Sequence, residues 1–88
     1  MLHAQMLELV RDTVRSIFAA QGVTSFADFS ESIMVRDGYY CGRSFGCGGM
    51  RAVWFVEENL LKIFGRDNQL LHSQAAIEHP HQPDQLAA

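Results

Sequence analysis

Cysteine, histidine, glycine and mixed tyrosine–arginine clusters are the parts of this chain whose residue types could do chemistry. Cys41 and Cys47 could share a metal or a disulfide. Their five-residue gap, however, is wider than the two to four residues of a zinc knuckle. On one extended strand, six steps of ~3.3 Å place them about 20 Å apart, beyond disulfide reach. Two independent reduced thiols are expected. His72, His79 and His81 could ligate a metal, yet His79-Pro80-His81 sits in a proline-broken segment with no carboxylate cluster beside it. No metal site and no cofactor are expected. Gly46-Cys47-Gly48-Gly49 resembles a glycine-rich loop, but no Lys-Ser/Thr pair and no helix follow, so it reads as a turn rather than a phosphate cradle.

Tyr39, Tyr40, Arg43, Phe45 and Arg51 interleave rings with guanidinium groups. Such a surface can stack bases and hold phosphates, or bind a small acid. The chain carries a formal charge of −3, divided as −2 over residues 1–31, +1 over 32–72 and −2 beyond. No basic stripe accompanies the rings, and the RNP pattern of an RNA-recognition sheet is absent, so nucleic acid is the weaker expectation. Asp37, Glu57 and Glu58 all fall at turns, and no histidine comes near a cysteine in any strand register. An enzyme's convergent acid, base and nucleophile are therefore not in view.

The elements that would position these residues are legible. Leu7, Val10, Val14, Ile17 and Phe18 recur at three- and four-residue spacing, with Glu8, Arg11, Asp12 and Arg15 on the other side. This predicts an amphipathic helix over Leu2–Gln21, closed by Gly22 in a left-handed cap. Thr24–Ser30 is a connector with room for one helical turn, its Phe26 and Phe29 pinning helix to sheet. From Ser32 the period becomes two, giving extended runs at Ile33–Arg36, Tyr39–Phe45, Met50–Glu57, Leu60–Phe64 and Gln69–His72. Asp37-Gly38 is a strong type I′ hairpin signal, Glu58-Asn59 can make another tight turn, and Gly46–Gly49 suits a wider turn or a bulge. Consecutive short turns imply an antiparallel meander. The expectation is an α+β domain over residues 1–73, an N-terminal helix on four or five antiparallel strands, with residues 74–88 as a flexible tail.

In the run Arg51–Glu57 both parities are apolar, Ala52, Trp54 and Val56 on one and Val53 and Phe55 on the other. A half-buried strand of a monomer is apolar on one parity only. Turning the chain at Glu58-Asn59 pairs Phe55 with Lys62 and Trp54 with Ile63. One face then collects Ala52, Trp54, Val56, Leu61 and Ile63, and the helix is assigned to it. The other face holds Val53, Phe55, Leu60 and Phe64, interrupted by Lys62. A second copy packed sheet on sheet is the expected cover, with Val53, Phe55, Leu60, Lys62 and Phe64 as the dimer interface. Another protein, or a strongly curled sheet, is the alternative. No stretch reaches the ~18 apolar residues that cross a bilayer, and the start lacks the basic end and apolar run of a signal peptide. A soluble cytoplasmic domain is expected, a non-enzymatic interaction or small-ligand module that forms homodimers. The runner-up is a nucleic-acid-associated regulator using the Tyr39–Arg51 surface.

Overall fold

Three- and four-residue spacing of apolar side chains produces one helix, α1 (His3–Ala20), in the computed structural model, which describes residues 2–77. Leu7, Val10, Val14 and Phe18 are its buried stripe. At its start the Gln5 side chain accepts a hydrogen bond from the Leu2 amide at 3.1 Å. At its end Gly22, at φ 100°, lets the chain reverse: the Val23 amide reaches Phe18 O and the Gly22 amide reaches Ala19 O, both at 3.0 Å. This is a Schellman closure, and buried Val23 supplies the apolar contact that accompanies one.

The connector makes no helix. A turn closed by Phe29 N–H donating to Phe26 O (3.1 Å) sets both rings toward the core. Phe29 lies 6.5 Å from Phe18 and 6.1 Å from Phe45, joining helix and sheet as the sequence implied.

Five strands follow: β1 (Ser30–Arg36), β2 (Tyr39–Cys47), β3 (Met50–Phe55), β4 (Leu60–Phe64) and β5 (Leu70–Ala75). They form one antiparallel sheet in the order β1-β2-β3-β4-β5, the expected meander. Asp37 and Gly38 both have positive φ, as a type I′ turn requires. Gly48 and Gly49 do the same between β2 and β3, at φ 60° and 82°, so the glycine cluster is a tight turn rather than a wide one. The β3–β4 connection differs from the two-residue reading. It spans Val56–Asn59, with Asn59 N–H donating to Val56 O, and pairs Phe55 with Leu60 and Trp54 with Leu61. The pairing is offset by two residues from that expected. Because side chains alternate with period two, an offset of two leaves every side chain on its expected face.

β2 carries a bulge. Arg36↔Tyr39 and Val35↔Tyr40 pair as the hairpin dictates, but Met34 then faces Gly42, leaving Cys41 extra. The parity of β2 therefore flips, which puts Tyr40 on the same side as Arg43 and Phe45. β5 bulges similarly between its pairings with Ile63 and Phe64.

The core lies between α1 and one sheet face: Phe45, Cys47, Met50, Ala52, Trp54, Leu61 and Ile63 meet the helix stripe. Trp54 is fully buried at its centre. The packed chain continues through Ala76 and Ile77, both buried. Asn59 clasps this end: its side-chain amide donates to Ile77 O at 2.9 Å and its side-chain oxygen accepts from Ile77 N at 3.0 Å. The rest of the segment read as a tail, with His79 and His81, lies outside the described residues. Among those described, no helix is long and apolar enough to cross a membrane.

Candidate binding surfaces

The two faces of the sheet hold different chemistry. On the helix side, Glu31 falls opposite Phe45 in the register and so points toward α1. Arg11 on the helix donates to both Glu31 oxygens, at 2.8 and 3.0 Å, and Arg43 on β2 donates to the same carboxylate at 2.6 Å. Arg43 also donates to the Tyr40 hydroxyl at 3.2 Å, and that hydroxyl lies 3.2 Å from His3 Nε2. His3 in turn stacks on Trp54 at 5.7 Å. A polar chain thus ties the start of the helix to β1 and β2.

The charges of this cluster satisfy one another. The Arg11 hydrogen bonds, aided by Arg43, hold the Glu31 carboxyl below its ordinary value of 4.5. Glu31 holds the Arg11 pKa up, and the Tyr40 hydroxyl, then Glu31, does the same for Arg43. A carboxyl whose pKa is lowered by folding stabilises the fold above its unfolded value and loses that contribution as pH falls through the folded one. Glu31→Gln should therefore cost about 2 kcal/mol at neutral pH, because half-buried Arg43 loses its counter-ion and Arg11 is left with exposed Glu8 alone, at 2.9 Å. The variant should also lose part of the wild type's decline in stability below pH 4.5, as urea melts at several pH values would read. Some acid sensitivity should remain, because Asp28 is shifted the same way by its hydrogen bonds to Cys47 and Gly48.

The cysteines are separate free thiols. Cys47 donates to Ser25 O and to Asp28 Oδ1, at 3.3 and 3.2 Å. Burial, then the nearby carboxylate, pushes its thiol pKa up, which makes it a poor nucleophile. Among the described residues no three of the histidine, cysteine, aspartate or glutamate side chains come together.

The sequence-predicted ligand set does not assemble. Tyr40 and Arg43 meet, with the guanidinium also 5.7 Å from the ring centre. Tyr39 stands out at the hairpin tip, 77% exposed. Phe45 is fully buried beneath the helix. Arg51 is on the opposite sheet face, donating to Asn68 at 2.9 Å and lying 4.5 Å over Phe64. The bulge at Cys41 puts Tyr40 rather than Tyr39 on the face of Arg43, and simple alternation cannot reveal it. The Arg11–Glu31–Arg43 cluster was missed, although Glu31 shares a parity with Ile33 that marks it as facing the same way.

A cleft of about 540 Å³ does open at the hairpin end of the sheet. Tyr39, Tyr40 and Phe55 line it with Arg36 and the carboxylates Asp37, Glu57 and Glu58. A second, of about 410 Å³, lies at the other end, along Ser30, Ser32, Ser44 and Gly46 with Asp28 and Arg51 at its margins.

The face opposite the helix holds Val53, Phe55, Leu60, Lys62 and Phe64, as parity required. Val53, between Ser44 and Lys62 in the register, is buried, whereas Phe55, Leu60, Lys62 and Phe64 are half-buried. Arg51 covers Phe64, and Lys62 Nζ sits 5.7 Å from the Phe55 ring centre. No second layer of described residues crosses this face. Leu70, opposite Phe64 on β5, extends this face and is exposed, whereas the other most exposed large apolar groups lie elsewhere, at Leu2, on β1 (Ile33, Val35) and at the hairpin tip (Tyr39). Comparison with family models, curated proteins and solved structures finds no match.

Proposed function

We propose that this chain is a non-enzymatic interaction domain that pairs with a second copy of itself through the sheet face opposite the helix. One observation carries the reading: that face has core-like side chains, Val53, Phe55, Leu60 and Phe64, and among the described residues only cationic stems lie above them. Phe55, Leu60 and Phe64 are already half-buried in one copy, so a partner sheet adds only the remainder of the ~1.5–3 kcal/mol that fully burying each is worth, comparable per residue with the ~0.5–1 kcal/mol of a surface cation over a ring. The gain of pairing therefore comes from burying all three side chains together. The two free thiols suit a reducing, cytoplasmic setting.

Sedimentation equilibrium tests this directly, with a dimer expected at micromolar concentration. Leu60→Lys combined with Phe64→Lys removes two apolar groups from each copy, and should raise the dissociation constant at least ~100-fold while far-UV circular dichroism stays unchanged. A wild-type chain that remains monomeric at the highest attainable concentration overturns the proposal.

A small-ligand role is the second reading, favoured by the hairpin-end cleft. Three carboxylates against one arginine, beside three rings, suit an organic cation rather than an acid. The nucleic-acid reading draws less support, since Phe45 is buried, Arg43 is bound to Glu31 and Arg51 lies on the other face.

A further inference from the structure

The face opposite the helix has two unlike halves. In register its side chains form three rows across β1 to β4. The first runs Ser30, Gly46, Arg51, Phe64; the second Ser32, Ser44, Val53, Lys62. The third runs Met34, Gly42, Phe55, Leu60. With Met34 the one exception, every row is small on β1–β2 and large on β3–β4. The face is a step: a low floor of serine and glycine beside a ridge of rings, aliphatic chains and two cations. The 410 Å³ groove runs along the first two rows of that floor and on past Arg51 to Arg66 and Asn68.

We infer that two copies pair about a two-fold axis parallel to the strands, between β2 and β3, so that the ridge of each fills the floor of the other. The inference rests on the dimer reading above and adds its geometry. Rotation about such an axis lays each row over the same row of the partner, reversed. Val53 and Lys62 then meet Ser44 and Ser32, while Phe64 and Arg51 meet Ser30 and Gly46. The groove that receives Arg51 is lined by Asp28 but also by that copy's own Arg51 and Arg66, so the fit is one of shape rather than of charge. Lys62 is brought to a serine hydroxyl. A two-fold axis perpendicular to the strands would instead stack ridge on ridge, hold the floors apart and set Lys62 against its own copy. With strands ~4.8 Å apart and rows ~6.8 Å apart the patch is about 20 Å square, roughly 800 Å² over both copies, below the ~1,200 Å² of stable interfaces and in the range of weak, transient ones. Reversible association on the order of micromolar is expected.

Cross-linking of the full chain reads the axis. In a Cys41→Ser background, where the remaining Cys47 is buried, chains carrying Ser32→Cys are mixed with chains carrying Lys62→Cys and treated with a short bismaleimide. Covalent heterodimer should exceed either homodimer about ten-fold or more, because the facing thiols share a high effective concentration. Peptide mass spectrometry should show the 32–62 link. If sedimentation gives a dimer but Lys62→Cys chains link chiefly to each other, the axis is overturned and the dimer stands. If sedimentation gives a monomer and no link forms above background, both fall.

Discussion

Gly42→Ala is expected to cost at least about 3 kcal/mol, although it adds one methyl group to a strand. A Cβ built on Gly42 would lie 1.9 Å from the carbonyl oxygen of Trp54 and 3.1 Å from its carbon. Both atoms are backbone of the neighbouring strand, so no side chain can swing aside. The β2–β3 ladder must open at that rung instead, where Gly42 pairs with Phe55 and the Val56 amide donates to Cys41 O at 3.1 Å. Each such bond is worth ~0.5–1.5 kcal/mol, and the opened strand would also disturb Trp54. Chemical denaturation followed by circular dichroism measures the loss. A change under about 1 kcal/mol would mean that the strands separate there at little cost. Gly46→Ala is the matched control, because its nearest neighbour is the Ser30 hydroxyl at 3.2 Å, the end of a side chain that can turn.

The same bulge marks the limit of what the residues reveal by themselves. Helix, turns and faces were legible because each rests on a local rule: apolar spacing for α1, positive φ at Asp37-Gly38, and alternation along β3 and β4. Even the misplaced β3–β4 turn preserved the faces, since it was off by two residues. Cys41-Gly42 announces nothing comparable. The extra Cys41 against β1 and the close approach of Gly42 to the β3 backbone are both properties of the assembled sheet. The effect of the bulge on the candidate site was large, because the parity shift carries Tyr40 to Arg43 and leaves Tyr39 outside.

Long-range polar ties were hidden for a related reason. Arg11 and Glu31 are 20 residues apart, and Asn59 and Ile77 are 18. Nothing local distinguishes these four from ordinary surface or filler residues. The Asn59 clasp explains why the packed chain runs on to Ile77 although the alternating pattern fades near Ser73. The apolar residues that β3 and β4 place on the second face, by contrast, were legible, because they need only parity. The step shape of that face needed the register of four strands together.

Trp54 offers the sharpest separation between size and polarity in the core. Trp54→Ala should cost about 4 kcal/mol, the loss of a fully buried ring between the helix and β3 that also supports His3. Trp54→Phe should stay within about 1 kcal/mol of the parent, because two effects oppose each other. The smaller ring gives up packing, but the indole Nε1 is buried with no hydrogen-bond partner among the described residues, and phenylalanine removes that donor. An unsatisfied buried donor costs ~1–3 kcal/mol, comparable with the packing lost. Trp54 is the single tryptophan, so both variants must be followed by circular dichroism rather than indole fluorescence. A Trp54→Phe loss approaching that of Trp54→Ala would show that the indole N–H is satisfied in solution. A near-neutral result would mean that removing the unsatisfied N–H offsets the packing lost with the smaller ring.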